Sequence, residues 1–90
     1  MTVYCISYDL NGDVSNYTPL FEGIKSFGIW WHQTKSVWVI KTDKSAKDIR
    51  DYLKQFIQSA DKLFVIELVK HWAGTGFSKE EYDWLKKNFD

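Results

Sequence analysis

The sequence predicts a small α+β sandwich, a sheet covered on one face by two helices with a third helix added at the C-terminal end. Three observations lead there. Apolar residues switch between strand-like alternation and helical spacing in the order strand, helix, two strands, helix, strand. Each switch coincides with a turn or capping signal. Five Trp, five Tyr and six Phe supply bulky side chains that let a chain of 90 residues fill one core. A second core is out of reach at this length, so residues 1–90 read as one domain.

Val3 to Leu10 is β-branched, aromatic and apolar and runs into Asn11-Gly12-Asp13, a first strand ending in a turn. Thr18 reads as a cap before Pro19, after which Tyr17, Leu20, Phe21, Ile24 and Phe27 recur at helical spacing until Gly28. Ile29–His32 and Ser36–Thr42 are rich in Trp, Val and Ile around a polar Gln33-Thr34-Lys35, which predicts a hairpin or one bulged strand pair. Ser45 to Asp48 caps a second helix with the stripe Ile49, Tyr52, Leu53, Phe56 and Ile57. Lys62 to Lys70 is the most strand-like run and is expected at the centre of the sheet. Ser78 and Glu81 form a capping box, Phe77 and Tyr82 a hydrophobic staple, and a helix over about 78–89 follows with Tyr82, Leu85 and Phe89 inward. The element order is that of a ferredoxin-like βαββαβ sandwich with an added C-terminal helix.

The Lys62–Lys70 run is apolar on both parities, with Leu63, Val65 and Val69 on one side and Phe64, Ile66 and Leu68 on the other. Two helices cover only one face of a sheet. The other face needs the C-terminal helix, a second copy of the chain or another partner, and this reading favours a homodimer.

Twelve basic and twelve acidic residues cancel, so any contact with RNA or DNA has to be local rather than driven by the overall field. The single Cys5 has no internal disulfide partner and sits among apolar neighbours as a small core residue. With no signal segment and no membrane-length apolar run, the expectation is a cytoplasmic protein without a membrane partner. Zinc-ligand spacing, a Gly-rich phosphate loop and a Ser-His-Asp pattern are all missing from the sequence. His32 and His71 stand beside tryptophans and read as packing or surface residues rather than catalysts.

Two readings stand for Asp9, at the end of the first strand. It is a solvated residue opening the Asn11-Gly12 turn, or, in a dimer whose two-fold axis brings both copies together, a ligand for Mg²⁺ or Mn²⁺. Such an ion activates water for phosphodiester attack. Two readings also stand for Trp30, Trp31 and Trp72: packing in the core or an interface, or rings beside Lys35 and Lys41 that stack on unpaired bases, at roughly 1 to 3 kcal/mol per base.

The opening Val3-Tyr4-Cys5-Ile6-Ser7-Tyr8-Asp9-Leu10, the Ser36-Val37-Trp38-Val39-Ile40-Lys41-Thr42 strand and Asp61-Lys62-Leu63-Phe64-Val65-Ile66 with Trp72-Ala73 resemble the small CRISPR-associated protein two family, especially its SinR-like stand-alone relatives. That resemblance runs over nearly the whole chain. It implies a ferredoxin-like homodimer, in some members a metal-dependent nuclease on RNA or DNA, and in CRISPR loci a scaffold between integrase dimers, hence an integrase-type protein partner. The family's metal-binding aspartate corresponds to Asp9. Asn11 to Asn16 lacks the Arg or Lys that many members carry there, and the family's further C-terminal strand is replaced here by a helical pattern. A non-catalytic dimeric module that binds nucleic acid or protein is the alternative, and a related ribonuclease toxin family shares the same fold.

Overall fold

The computed structural model describes residues 1–89. In chain order it contains β1 (Thr2–Asp9), a 3-10 turn (Val14–Tyr17), α1 (Thr18–Lys25), β2 (Ile29–Thr34), β3 (Val37–Thr42), α2 (Ala46–Leu53), a second 3-10 turn (Lys54–Phe56), β4 (Lys62–Glu67) and α3 (Lys79–Asn88). The four strands form one sheet in the order β2-β3-β1-β4, with every neighbouring pair antiparallel. This is a small α+β architecture compatible with the ferredoxin-like class.

Local signals set most element ends. The Ser45 hydroxyl accepts the Asp48 N–H at 3.1 Å and starts α2. At α3 the Ser78 hydroxyl accepts from the Glu81 N–H while the Glu81 carboxylate accepts from the Ser78 N–H at 2.7 Å, and Phe77 meets Tyr82 edge-on at 5.6 Å. The start of α1 differs from the expected Thr18 cap. Asp13 instead caps the preceding 3-10 turn through the Ser15 N–H, and Thr18 lies inside the helix with Pro19 in its first turn. Beyond α1, Gly28 takes φ +98°, a left-handed conformation that glycine adopts without a Cβ penalty. β2 and β3 form a hairpin whose register shifts between Trp31 and Thr34.

α1 and α2 lie on one face of the sheet and enclose Tyr4, Ile6, Tyr17, Leu20, Ile24, Trp38, Ile40, Ile49 and Leu53. α1 approaches α2 and the 3-10 turn after it closely at Gly23, where a Cβ would stand 3.3 Å from the Leu53 side chain and 2.9 Å from the Phe56 ring. Trp38 is the largest fully buried side chain, its Nε1–H donating to the Tyr8 hydroxyl at 3.0 Å. Tyr52 departs from the predicted inner stripe of α2: it is exposed and meets Phe27 and Phe56 edge-on.

Two expectations about the Lys62–Lys70 run are overturned. The strand lies at the edge, not the centre, and it ends at Glu67. β1 takes the central place beside β3, with Tyr4 and Ile6 buried on its helix face and Val3 buried on the other. Val69 lies beyond the strand and is 75% exposed, so it does not share a face with Leu63 and Val65. The run is apolar on both sides for two unrelated reasons. Leu63 and Val65 pack into the α1/α2 core, whereas Phe64 and Ile66 point to the second face and stay exposed.

That second face is covered in part from within the chain. α3 and the segment before it pack Leu85, Phe89, Trp72, Phe77 and Trp84 against Val3, Trp31 and Val39. The favoured expectation, a second copy over this face, is therefore unnecessary above β2 and β3. The question survives only for the strip along β4.

Candidate functional site

Asp9 ends β1, exposed, with Lys62 as its cross-strand neighbour on β4. Beside it the hairpin between β2 and β3 brings Lys35 and Ser36 up to Tyr8, Leu10 and Val14 around a shallow depression of about 440 Å³. The Lys35 carbonyl accepts from the Tyr8 hydroxyl at 3.3 Å, which fixes the hairpin end against the strand. Asp9 and Lys35 thus lie together at one rim of the sheet. Lys41 does not join them. It is half-buried opposite Val3, six residues along β1 from Asp9, or roughly 20 Å at strand rise.

The three tryptophans do not form one platform. Trp30 and Trp31 are consecutive in a strand and point to opposite faces. Trp30 is 38% exposed, packs on Trp38 at 5.4 Å and carries the Lys25 ammonium 5.2 Å above its ring. Trp31 is buried beneath α3, its Nε1–H donating to the Glu81 carbonyl at 3.1 Å, a geometry that leaves no ring face for a base. Trp72 is half-buried and lies against Tyr82 and Phe89 at 6.4 and 6.3 Å. Packing, rather than a row of free rings, accounts for Trp31 and Trp72. His32 stacks on Trp38 at 3.8 Å, and His71 is exposed.

The acid with the richest contacts is one the sequence does not single out. Asp61, just before β4, accepts from the Asn11 N–H at 2.8 Å, the Gln58 N–H at 2.8 Å and the Tyr17 hydroxyl at 2.8 Å. The Asn11 amide completes the tie by donating to the Ala60 carbonyl. This clamp joins the turn after β1 to the turn before β4 and so sets the rim that carries Asp9. The Asn11 N–H foremost, then the Gln58 N–H and the Tyr17 hydroxyl, hold the Asp61 carboxyl below the ordinary carboxylate range. Burial first, and then the bonded carboxylate, push the Tyr17 phenol up. The only signal in the sequence is an acid in a polar turn, and nothing local ties it to a residue 44 positions away.

A group whose folded pKa is depressed contributes stability above its unfolded value, about 3.9 for an aspartate, and loses it as pH falls through the folded value. Asp61→Asn is therefore expected to be less stable than wild type at pH 7, with the difference shrinking below about pH 4. Asp13, Asp51 and Asp83 are depressed as well, so wild type and variant share part of the acid limb. Urea unfolding of both proteins from pH 7 to pH 2 measures this, and a pH-independent difference would contradict the clamp.

α3 leaves uncovered the part of the second face that lies along β4 and its neighbour β1. There Phe64 is 60% and Ile66 45% exposed, facing Ser7 and Cys5 across the ladder. Burial pushes the Cys5 thiol up, away from the reactive thiolate. Among the described residues no group of three or more His, Cys, Asp or Glu is placed to hold a metal ion, and no helix is long and apolar enough to cross a membrane. On the helix side of the β4 edge, Arg50, Lys54, Ile57, Asp61, Lys62 and Leu63 surround an open depression of about 490 Å³. No protein-family model matches this chain.

Proposed function

We propose that this chain is a dimeric, non-catalytic binding module, a ferredoxin-like βαββαβ sandwich with an added C-terminal helix whose working surface is the uncovered strip of β4. The observation that carries this reading is the exposure of Phe64 and Ile66 side by side on an edge strand. An edge presents unpaired backbone donors and acceptors, and an apolar strip beside it favours association. Protein is the favoured partner class, because Trp31 and Trp72 are already packed against α3.

A second reading, a Mg²⁺- or Mn²⁺-dependent endonuclease, is supported by the exposure of Asp9 beside Lys35 and by the resemblance to CRISPR-associated protein two. Asp9 would ligate the ion there, with the ion supplying a metal-activated water.

One set of proteins separates the two. Sedimentation at micromolar concentrations is expected to show a dimer for wild type and a monomer with unchanged circular dichroism for Phe64→Lys/Ile66→Lys. A monomeric wild type throughout that range would refute the dimeric module. RNA and DNA incubated with Mn²⁺ are expected to remain intact. Cleavage by wild type that Asp9→Asn abolishes would establish the nuclease reading in its place.

A further inference from the structure

The geometry points to a second copy of this chain as the occupant of the β4 strip, the two β4 strands pairing antiparallel about a two-fold axis through Val65. This rests on the dimeric reading above and adds the partner and the register.

The free edge defines which registers are allowed. The Leu68 N–H donates to the Val3 carbonyl at 2.9 Å, so in the alternating antiparallel ladder the even-numbered residues turn their backbone groups toward β1. Leu63, Val65 and Glu67 then turn theirs outward, and no backbone hydrogen bond beyond the ladder occupies them among the described residues. A two-fold axis normal to the sheet keeps faces aligned and sets odd residues opposite odd ones. Centring it on Val65 pairs Leu63 with Glu67 of the second copy, Val65 with Val65, and Glu67 with Leu63. All three outward residues are then satisfied in each copy. Shifting the centre by one residue leaves one of the three without a partner among them.

The same register resolves the side chains. On the second face, Phe64 falls opposite Ile66 of the other copy, twice, in non-hydrogen-bonded pairs where side chains approach most closely. Four exposed apolar side chains merge into one cluster across the junction. On the helix face, Glu67, exposed in the single chain, arrives opposite Leu63, which lines the depression shared with Arg50 and Lys54. Arg50 is already bonded to Asp51 at 2.7 Å, whereas Lys54 has no ion pair among the described residues. Acid meets base at both ends of the interface, which identifies a second copy rather than an unrelated strand as the fitting occupant.

The consequence for Asp9 is geometric. With strands about 4.8 Å apart and a rise of about 3.4 Å per residue, the two Asp9 Cα atoms lie roughly 25 Å from one another. No single ion bridges them, so this dimer and a shared metal site exclude each other.

The test uses the full chain with Cys5→Ser, since Cys5 neighbours Ile66 across the ladder. Mixing Phe64→Cys with Ile66→Cys protein is expected to give a rapid intermolecular disulfide, because the Cα separation of about 4.5 Å suits the bond. Phe64→Cys alone, about 8 Å from its own copy along the diagonal, is expected to cross-link slowly. Glu67→Lys and Lys54→Glu are each expected to weaken the dimer roughly five- to tenfold, and the double reversal to restore it. A stable dimer that cross-links fastest through Phe64→Cys alone, or that ignores both reversals, would overturn this register while leaving a dimeric module. A monomer in every buffer would overturn both.

Discussion

Trp38→Ala is expected to lower the unfolding free energy by about 3 to 5 kcal/mol, the range for truncating a buried tryptophan. The side chain is 2% exposed and touches three aromatic neighbours, stacking on His32 at 3.8 Å and approaching Trp30 and Phe21 at 5.4 and 6.2 Å. Its indole N–H also bonds the Tyr8 hydroxyl, which in turn holds the Lys35 carbonyl, so the truncation loosens the rim that presents Asp9. A domain of this size has a total stability on the order of 5 to 13 kcal/mol. The melting temperature should therefore fall by roughly 12 °C or more. Calorimetry of wild type and variant measures it, and a fall of only a few degrees would mean that Trp38 is not the centre of the α1/α2 core.

The second large effect concerns α3. Phe89 is 7% exposed at the end of that helix and packs with Leu85 and Trp72 on Val3, Trp31 and Val39. Phe89→Ala is expected to cost about 3 kcal/mol, toward the lower end for a buried phenylalanine because the last turn of a helix relaxes into the space more readily than its interior. The loss should be local first. Amide exchange in Lys79–Asn88 is expected to accelerate well before that of β1 and β3, whose ladders join two covered layers. Releasing α3 also bares Trp31 and Val39, so the variant should bind an apolar dye and associate more strongly than wild type. Equal acceleration of exchange in α3 and the sheet would show instead that the whole domain opens as one unit.

These two layers differ in how readily the sequence announces them. The α1/α2 layer is legible because its residues recur at helical spacing beside strands of alternating pattern. Ile49 and Leu53 on α2 and Leu20 and Ile24 on α1 are all fully buried as that spacing requires. The capping residues Ser45, Ser78 and Glu81 act within three positions, so their roles are written in adjacent sequence. Asp9 stands out in the sequence as an acid ending an apolar strand, and in the fold it lies at an exposed rim with Lys35. Lys41 is equivalent to Lys35 in residue type, yet strand register sends it to the far end of the sheet.

The features legible along the chain are local: where helices begin, which residues alternate, and that the chain carries more apolar surface than two helices cover. It takes the folded chain to put the Lys62–Glu67 strand at an edge, to bring α3 over β2 and β3 but not over Phe64 and Ile66, and to tie two distant turns together through Asp61. The reason is physical. Capping and periodicity act over a few residues of chain, whereas strand order and the reach of one helix across a sheet are set by packing among segments far apart in sequence, and the same apolar run satisfies an edge or a centre until those neighbours are in place.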